Sequence, residues 1–168
     1  GLPNDLMIRS RSWHFLGFDK GSSIQEYPES QMGAMALIRQ TLLDADWYVR
    51  AHAAHRMNPQ QAKPESNLAL EALQGVTGET VVFDLPDLHA ILRADRLARE
   101  FGFNAVALAS GYEYERTDEL KAIGRTLIVP VDFPETPEVG KPHSELDLSL
   151  TELRRWDWAP SNPAILEK

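Results

Sequence analysis

Three short apolar runs alternate with helical patterns in the second half of the chain. The runs cover residues 80–85, 104–109 and 126–131 and consist largely of β-branched and small apolar residues. Continuous apolar runs of this length are typical of strands buried on both faces of a parallel sheet. Between them, apolar residues recur at helical spacing over residues 86–101 and 113–123, and a glycine follows each pattern. This alternation predicts right-handed βαβ crossovers and a parallel sheet.

The first half of the chain predicts one strand and two helices. Trp13 and Phe15 alternate with other residues in a strand-like stretch over residues 12–18. Helical spacing of apolar residues then predicts a helix from residue 32 to about 55, with Ser30 as its cap. A shorter helix is predicted over residues 64–73.

The C-terminal part of the sequence predicts a loop and two further helices. Residues 133–143 are rich in proline and acidic residues, which indicates an exposed loop. Ser149 and Glu152 form a capping-box pattern, so a helix is expected to about residue 158. Asn162 and Pro163 open another helix that reaches the last residue after barely one turn. We therefore interpret residues 1–168 as a single α/β domain excised from a larger protein.

Composition and charge exclude several classes of function. The chain has 168 residues, whereas a closed eight-stranded barrel needs about 250. The net charge of -8 argues against a nucleic-acid partner, and no apolar run is long enough for a membrane helix. The absence of cysteine excludes disulfides, thiolate zinc sites and cysteine nucleophiles, and it is compatible with either redox compartment.

Candidate chemistry lies where the predicted strands end, because catalytic groups and ligands gather at the carboxyl ends of parallel strands. Asp84, Asp87 and His89 follow the first run. The alternative for Asp84 or Asp87 is to cap the helix that comes next.

A second candidate group follows the other two runs. Ser110 and Gly111 end the second run, where a glycine beside a helix N-terminus can bind an anion, although Gly111 also fits a plain turn. Asp132 follows the third run, so Asp84, Ser110 and Asp132 are candidate catalytic residues along one shallow polar crevice. Gly111, Asp87 and His89 are candidate ligand-binding residues.

No metal site is predicted from the residues of the chain. His52 and His55 lie three residues apart on a predicted helix, but no carboxylate completes a ligand set, and solvated histidines are the simpler interpretation. The four tryptophans are interpreted as core or interface residues. Trp156 and Trp158 are two apart on one helix, so at least one should be partly exposed.

Several blocks of the sequence resemble the imidazolonepropionase-related amidohydrolases, in the same order along the chain. They lie at residues 33–48, 91–102, 118–122 and 159–164. The similarity is greatest to long, exported amidohydrolase-like proteins of Bacteroidetes-type bacteria. It implies a segment of a metal-dependent (β/α) barrel, resembling a partial TIM barrel, from a family that hydrolyses C–N bonds in amides, dipeptides or cyclic ureides.

The sequence departs from the family where a metal would bind. Active relatives carry a His-x-His-Arg-like element where this chain reads Asp84-Leu85-Pro86-Asp87, and a histidine where it has Ser110. The resemblance thus implies a degenerate site: no cofactor is expected in this chain, although active relatives use a divalent metal such as zinc.

Three functions remain open from the sequence. The chain is a fragment of an amidohydrolase that is inactive alone and serves as a non-catalytic scaffold, a part of a surviving hydrolase whose metal is held mostly by residues outside it, or a small-ligand-binding α/β module. The expected partners are the remainder of a parent protein and, in a homo-oligomer, a second copy of the chain, with no nucleic acid and no membrane. The resemblance slightly favours an exported or periplasmic location.

Overall fold

The described part of the chain contains four strands in one sheet, flanked by helices. The structure, a computed structural model, describes residues 13–19, 27–137, 140, 143 and 146–167. Along the chain, its strands and α-helices are β1 (His14–Gly17), α1 (Gln31–Met57), α2 (Leu68–Ala72), β2 (Thr80–Asp84), α3 (Leu88–Phe101), β3 (Asn104–Leu108), α4 (Thr117–Ile123), β4 (Thr126–Ile128), α5 (Leu150–Trp158) and α6 (Asn162–Glu167). Within the sheet, the strands lie in the order β1-β2-β3-β4. Strands β3 and β4 are parallel, with Val106 opposite Thr126. The predicted class, α/β with a parallel sheet, is confirmed.

The chain divides into two compact units, and the first comprises Gly1–Val81 with Phe101–Asn104. Strand β1 in this unit alternates between half-buried and exposed residues, as the sequence predicts, but the aromatic residues at alternate positions are on the exposed side. Trp13 and Phe15 are exposed, whereas Phe18 is buried. Period-two patterning identifies a strand without indicating which face is covered.

Helix α1 begins at the cap that the sequence indicates. The Ser30 hydroxyl accepts a hydrogen bond from the backbone N–H of Gly33 at 3.1 Å, and residues at helical spacing form the buried stripe, namely Ala34, Leu42, Ala45 and Tyr48. Helix α2 is shorter than predicted. The side chain of Asn67 accepts from the N–H groups of the first turn, so the helix begins at Leu68 and Pro64 lies outside it.

The second unit comprises Val82–Glu100 with Ala105–Lys168. Within strand β2, Val82 and Phe83 are completely buried, as a strand covered on both faces requires. Helix α3 begins at Leu88 and not at Pro86. The Asp87 side chain caps it by accepting a hydrogen bond from the Ala90 N–H at 2.8 Å.

The buried face of α3 contains one carboxylate, Asp95, which is held by two arginines. Its two oxygens accept 2.8 Å hydrogen bonds from Nε of Arg99 and Nε of Arg125. Burial raises the pKa of Asp95, but the hydrogen bonds and charges of the two arginines outweigh it, so the pKa lies below its ordinary value. Since Arg125 directly precedes β4, this ion pair joins α3 to the start of that strand.

The remaining elements follow the sequence prediction with shorter bounds. A 3-10 turn over Glu113–Arg116 precedes α4, which ends at Gly124 in the left-handed conformation. Strand β4 stops at Ile128, three residues before the end of the predicted run. Helix α5 has the predicted capping box between Ser149 and Glu152. Among the described helices, none is both long enough and apolar enough to cross a membrane.

Candidate functional site

The predicted strand-end residues differ in burial and in the hydrogen bonds that they form. Asp84, Asp87, His89 and Asp132 are exposed. Asp87 takes the capping role that the sequence left open for it. In the part of the chain that the structure describes, no hydrogen bond or ion pair engages the side chains of Asp84, His89 or Asp132.

Ser110 and Gly111, by contrast, form part of a dense hydrogen-bond network at the end of β3. The carboxylate at its centre belongs to Glu113, whose side chain is completely buried. The backbone N–H and the hydroxyl of Ser110 donate to its Oε1 at 2.6 and 2.7 Å. The N–H of Gly111 donates to its Oε2 at 3.0 Å. An anion does lie beside Gly111, and it is a side chain of the protein itself.

The fourth donor to this carboxylate comes from helix α6, 49 residues along the chain. Nδ2 of Asn162 donates to Glu113 Oε2 at 2.8 Å, while Oδ1 of Asn162 accepts the N–H of Tyr114 at 2.8 Å. Because Tyr114 supplies a donor, the amide oxygen must face it and the amide nitrogen must face Glu113. Asn162 is itself buried, with 1% of its surface exposed. We call Ser110, Gly111, Glu113 and Asn162 the strand-end cluster.

The backbone at Gly111 allows this arrangement. Its φ of +92° lies in the left-handed region that disfavours side chains. A Cβ at this position would stand 3.4 Å from Cγ of Pro130, which is ordinary contact. The conformation, and not lack of space, is therefore what favours glycine here.

The cluster is unsuited to nucleophilic catalysis. An activated serine needs a base that is free to take its proton, and that base is usually a histidine. The Ser110 hydroxyl does donate to a carboxylate, but that carboxylate, Glu113, already accepts three further hydrogen bonds and is completely buried. No histidine takes part in the described hydrogen bonds of this cluster. Its geometry is that of a structural junction.

Sequence reasoning identified Ser110 and Gly111 but missed the two residues that complete the cluster. The signal for Glu113 was present, because Ser110 and Glu113 have the same Ser-x-x-Glu spacing as the capping box at Ser149 and Glu152. Asn162 had no such signal. The sequence predicts only that it opens a helix, and it does form the first residue of α6, but its side chain is directed to Glu113.

The residues that the sequence resemblance aligns with metal ligands are Asp84, Pro86 and Ser110, and they differ in their contacts. Pro86 has no side-chain donor atom, the Ser110 hydroxyl donates to Glu113, and Asp84 is the one carboxylate of the three. Over the described ranges, no group of three or more His, Asp or Glu side chains is placed to hold a metal. His52 and His55 have other contacts: the His52 ring lies 4.3 Å from the ring of Tyr48, and His55 Nδ1 lies 3.0 Å from a backbone carbonyl oxygen, that of Gln61.

A cavity of about 480 Å³ lies beside helix α5 and is lined by Tyr114, Glu115, Arg154 and Trp158. The Tyr114 ring lies 5.7 Å from the ring of Trp158. Burial, followed by the charge of Glu115, raises the pKa of the Tyr114 hydroxyl. Trp156 and Trp158 are 40% and 50% exposed, which confirms that at least one of them is partly exposed.

The parallel sheet with flanking helices belongs to the α/β class, and the structural comparison is consistent with a segment of a TIM-barrel-like fold. The fold is similar to that of an amidohydrolase from Thermotoga maritima MSB8, with a TM-score of 0.54 and 19% sequence identity. The match covers 79% of this chain and 34% of that one, so this chain corresponds to about a third of that protein. At this identity the similarity shows an amidohydrolase-like fold. No family model and no curated protein sequence matches the chain.

Proposed function

We propose that this chain is a segment of a longer amidohydrolase-like protein, in which it serves as a scaffold and holds no catalytic metal by itself. The observation that carries the proposal is the strand-end cluster. Its donors, which lie where parallel α/β proteins bind ligands, are all directed at Glu113. The end of β3 is thereby closed by the protein's own side chains.

The likeness to the Thermotoga amidohydrolase supports the first part of this proposal, since the match covers 34% of that protein. The blocks of sequence that resemble imidazolonepropionase-related amidohydrolases support the same ancestry. The exposed Trp156 and Trp158 are consistent with a surface that the rest of such a protein would cover.

A second reading keeps catalysis in the parent protein. In that reading the metal is held mainly by residues outside this segment, and Asp84 contributes one ligand from the end of β2. The exposed position of Asp84, with no hydrogen bond or ion pair to another described side chain, is compatible with it. A carboxylate oxygen is a suitable ligand for zinc or manganese.

Metal binding by the purified chain separates the two readings. The chain is incubated with Zn²⁺ or Mn²⁺ and passed through a desalting column, and retained metal is measured by elemental analysis. The same protein is assayed for hydrolysis of a panel of dipeptides, amino-acid amides and cyclic ureides. We expect no stoichiometric retention and no hydrolysis above that of the metal salt alone.

The variant Asp84→Asn serves as the matched control. One equivalent of retained metal that is lost in this variant would assign Asp84 as a ligand and contradict the scaffold proposal. One equivalent that persists in the variant would place a metal site elsewhere in the chain, which contradicts the proposal equally.

A further inference from the structure

The Glu113 carboxylate is buried without a positive partner. Its side chain has no exposed surface, and over the described residues no lysine, arginine or histidine forms an ion pair with it. Burying a carboxylate costs a large desolvation free energy unless hydrogen bonds replace its water. Here two backbone N–H groups, one hydroxyl and one amide replace it.

A second Ser-x-x-Glu pair in the same chain shows what is special about the first. At Ser149, the backbone N–H and the hydroxyl donate to Glu152 Oε2 at 2.8 and 2.7 Å. These contacts closely match those between Ser110 and Glu113, but Glu152 is exposed. The difference at Glu113 is that Gly111 and Asn162 supply two more donors and exclude solvent.

We propose that Glu113 acts as a built-in anionic ligand that locks helix α6 onto the turn after β3, and that the surrounding cradle recognises its charge as well as its shape. The cradle consists of the N–H and hydroxyl of Ser110, the N–H of Gly111 and the amide of Asn162. Asn162 is the part of the cradle that belongs to α6, so losing the anion releases the helix.

The donor arrangement explains why a neutral group of the same shape would not substitute. Both carboxylate oxygens accept two hydrogen bonds each. A glutamine at position 113 keeps one oxygen, and its NH₂ group faces either the N–H of Gly111 and the amide of Asn162 or the N–H and hydroxyl of Ser110. The hydroxyl can turn to accept, but in both orientations at least one backbone N–H opposes the NH₂ group. Rotating Asn162 cannot correct this, since its oxygen is held by the N–H of Tyr114.

The test removes the carboxylate and returns it in solution. Glu113→Ala keeps Cβ and leaves room for formate, a free carboxylate. Thermal unfolding is followed with increasing formate, with formamide as a neutral molecule of similar size, and with chloride at the same ionic strength. We expect formate alone to raise the Tm of the variant, by about 3–5 °C per tenfold increase above its Kd for a chain of this length.

The positioning role has its own readout. Hydrogen exchange of backbone amides in α6 should speed up in Glu113→Ala and slow again with formate, while exchange in β2 should respond much less. Two controls complete the design: the wild-type protein, whose cradle is filled, and Glu152→Ala, which removes an exposed carboxylate from the same local motif. Formate should have no specific effect on either.

Two results would overturn the proposal. Equal stabilisation by formamide and formate would show that the cradle does not recognise charge, and no effect of formate on a folded variant would show that it does not bind a carboxylate. If Glu113→Ala does not fold, recovery of folded protein from urea is compared with and without formate, and recovery that formate does not raise above chloride counts against the proposal.

A double variant tests the same idea without an added ligand. Asn162→Asp in the Glu113→Gln background restores one anion to the cluster, on the α6 side, with the glutamine NH₂ as its donor. We expect Glu113→Gln/Asn162→Asp to be more stable than either single variant. Additive losses of stability would contradict recognition of charge.

Discussion

Replacing Asp95 with asparagine should destabilise the protein far more than a comparable change on its surface. Asp95 lies on the buried side of α3, with 8% of its side chain exposed, and it binds both Arg99 and Arg125 at 2.8 Å. Asparagine has nearly the same shape but only one acceptor oxygen and no charge. The variant therefore weakens both ion pairs without opening a cavity.

The magnitude follows from the exposure of each partner. Arg99 is 60% exposed and four residues from Asp95 on the same helix, so this pair contributes about 0.3–0.5 kcal/mol. Arg125 is 23% exposed, and a charge-assisted hydrogen bond in such a setting contributes about 1.5–3 kcal/mol. We expect Asp95→Asn to lower the free energy of unfolding by about 2–3 kcal/mol.

The pH dependence has a definite sign. Burial raises the pKa of Asp95, but the two arginines lower it by more than burial raises it, so the folded-state pKa lies below the unfolded value. The contribution of the ion pairs is then complete above about pH 4, the ordinary pKa of aspartate, and is lost as the pH falls through the folded-state pKa. The difference in stability between wild type and Asp95→Asn should narrow below about pH 4.

Urea unfolding of both proteins at pH 7 and at several acidic pH values measures these differences. The matched control is Asp46→Asn, because Asp46 also binds an arginine four residues away at 2.8 Å, but both side chains of that pair are exposed. We expect Asp46→Asn to lower the free energy of unfolding by less than about 0.5 kcal/mol. Equal losses in the two variants, or a loss at Asp95 that is independent of pH, would refute the reasoning.

Two further predictions concern hydrogen bonds at the ends of helices. Asn162→Ala removes a donor to Glu113 and leaves the backbone N–H of Tyr114 without its acceptor, so it should lower the free energy of unfolding by about 3–4 kcal/mol. The control Asn104→Ala, at an exposed asparagine, should lower it by less than about 1 kcal/mol. Similar losses of stability for the two variants in urea unfolding would argue against a buried junction. Asp87→Ala should destabilise the protein by about 1 kcal/mol through loss of the α3 cap. Asp84→Ala should be neutral within about 0.5 kcal/mol, and a larger loss at Asp84 than at Asp87 in calorimetry would reverse the assigned roles.

The sequence predicted the order of strands and helices well because that order depends on local patterns. Strand β2 reads as a continuous apolar run, and burial on both faces is what such a run requires. The ends of elements were less accurate because single side chains decide them. Asp87 caps α3, so this helix begins at Leu88 and not at Pro86, and Asn67 caps α2, so that helix begins at Leu68.

The candidate site was only partly predictable, for a reason that the strand-end cluster illustrates. Ser110 and Gly111 stood out because they follow a buried run. Glu113 was readable from its spacing to Ser110, but Asn162 lies 49 residues away. Pairing of two polar residues at that separation depends on how the helices pack, and no local pattern encodes it.

The contact between Glu113 and Asn162 also bears on how the stretch between β4 and α5 can change during evolution. The contact joins the turn after β3 directly to α6, which follows α5 along the chain. The pairing of β3 with β4 holds the residues that precede the stretch. The closure entropy of a loop grows slowly, by about 0.6 kcal/mol for each doubling of its length. Insertions and deletions between β4 and α5 should therefore be tolerated among homologues, whereas the four positions of the cluster should vary together or not at all.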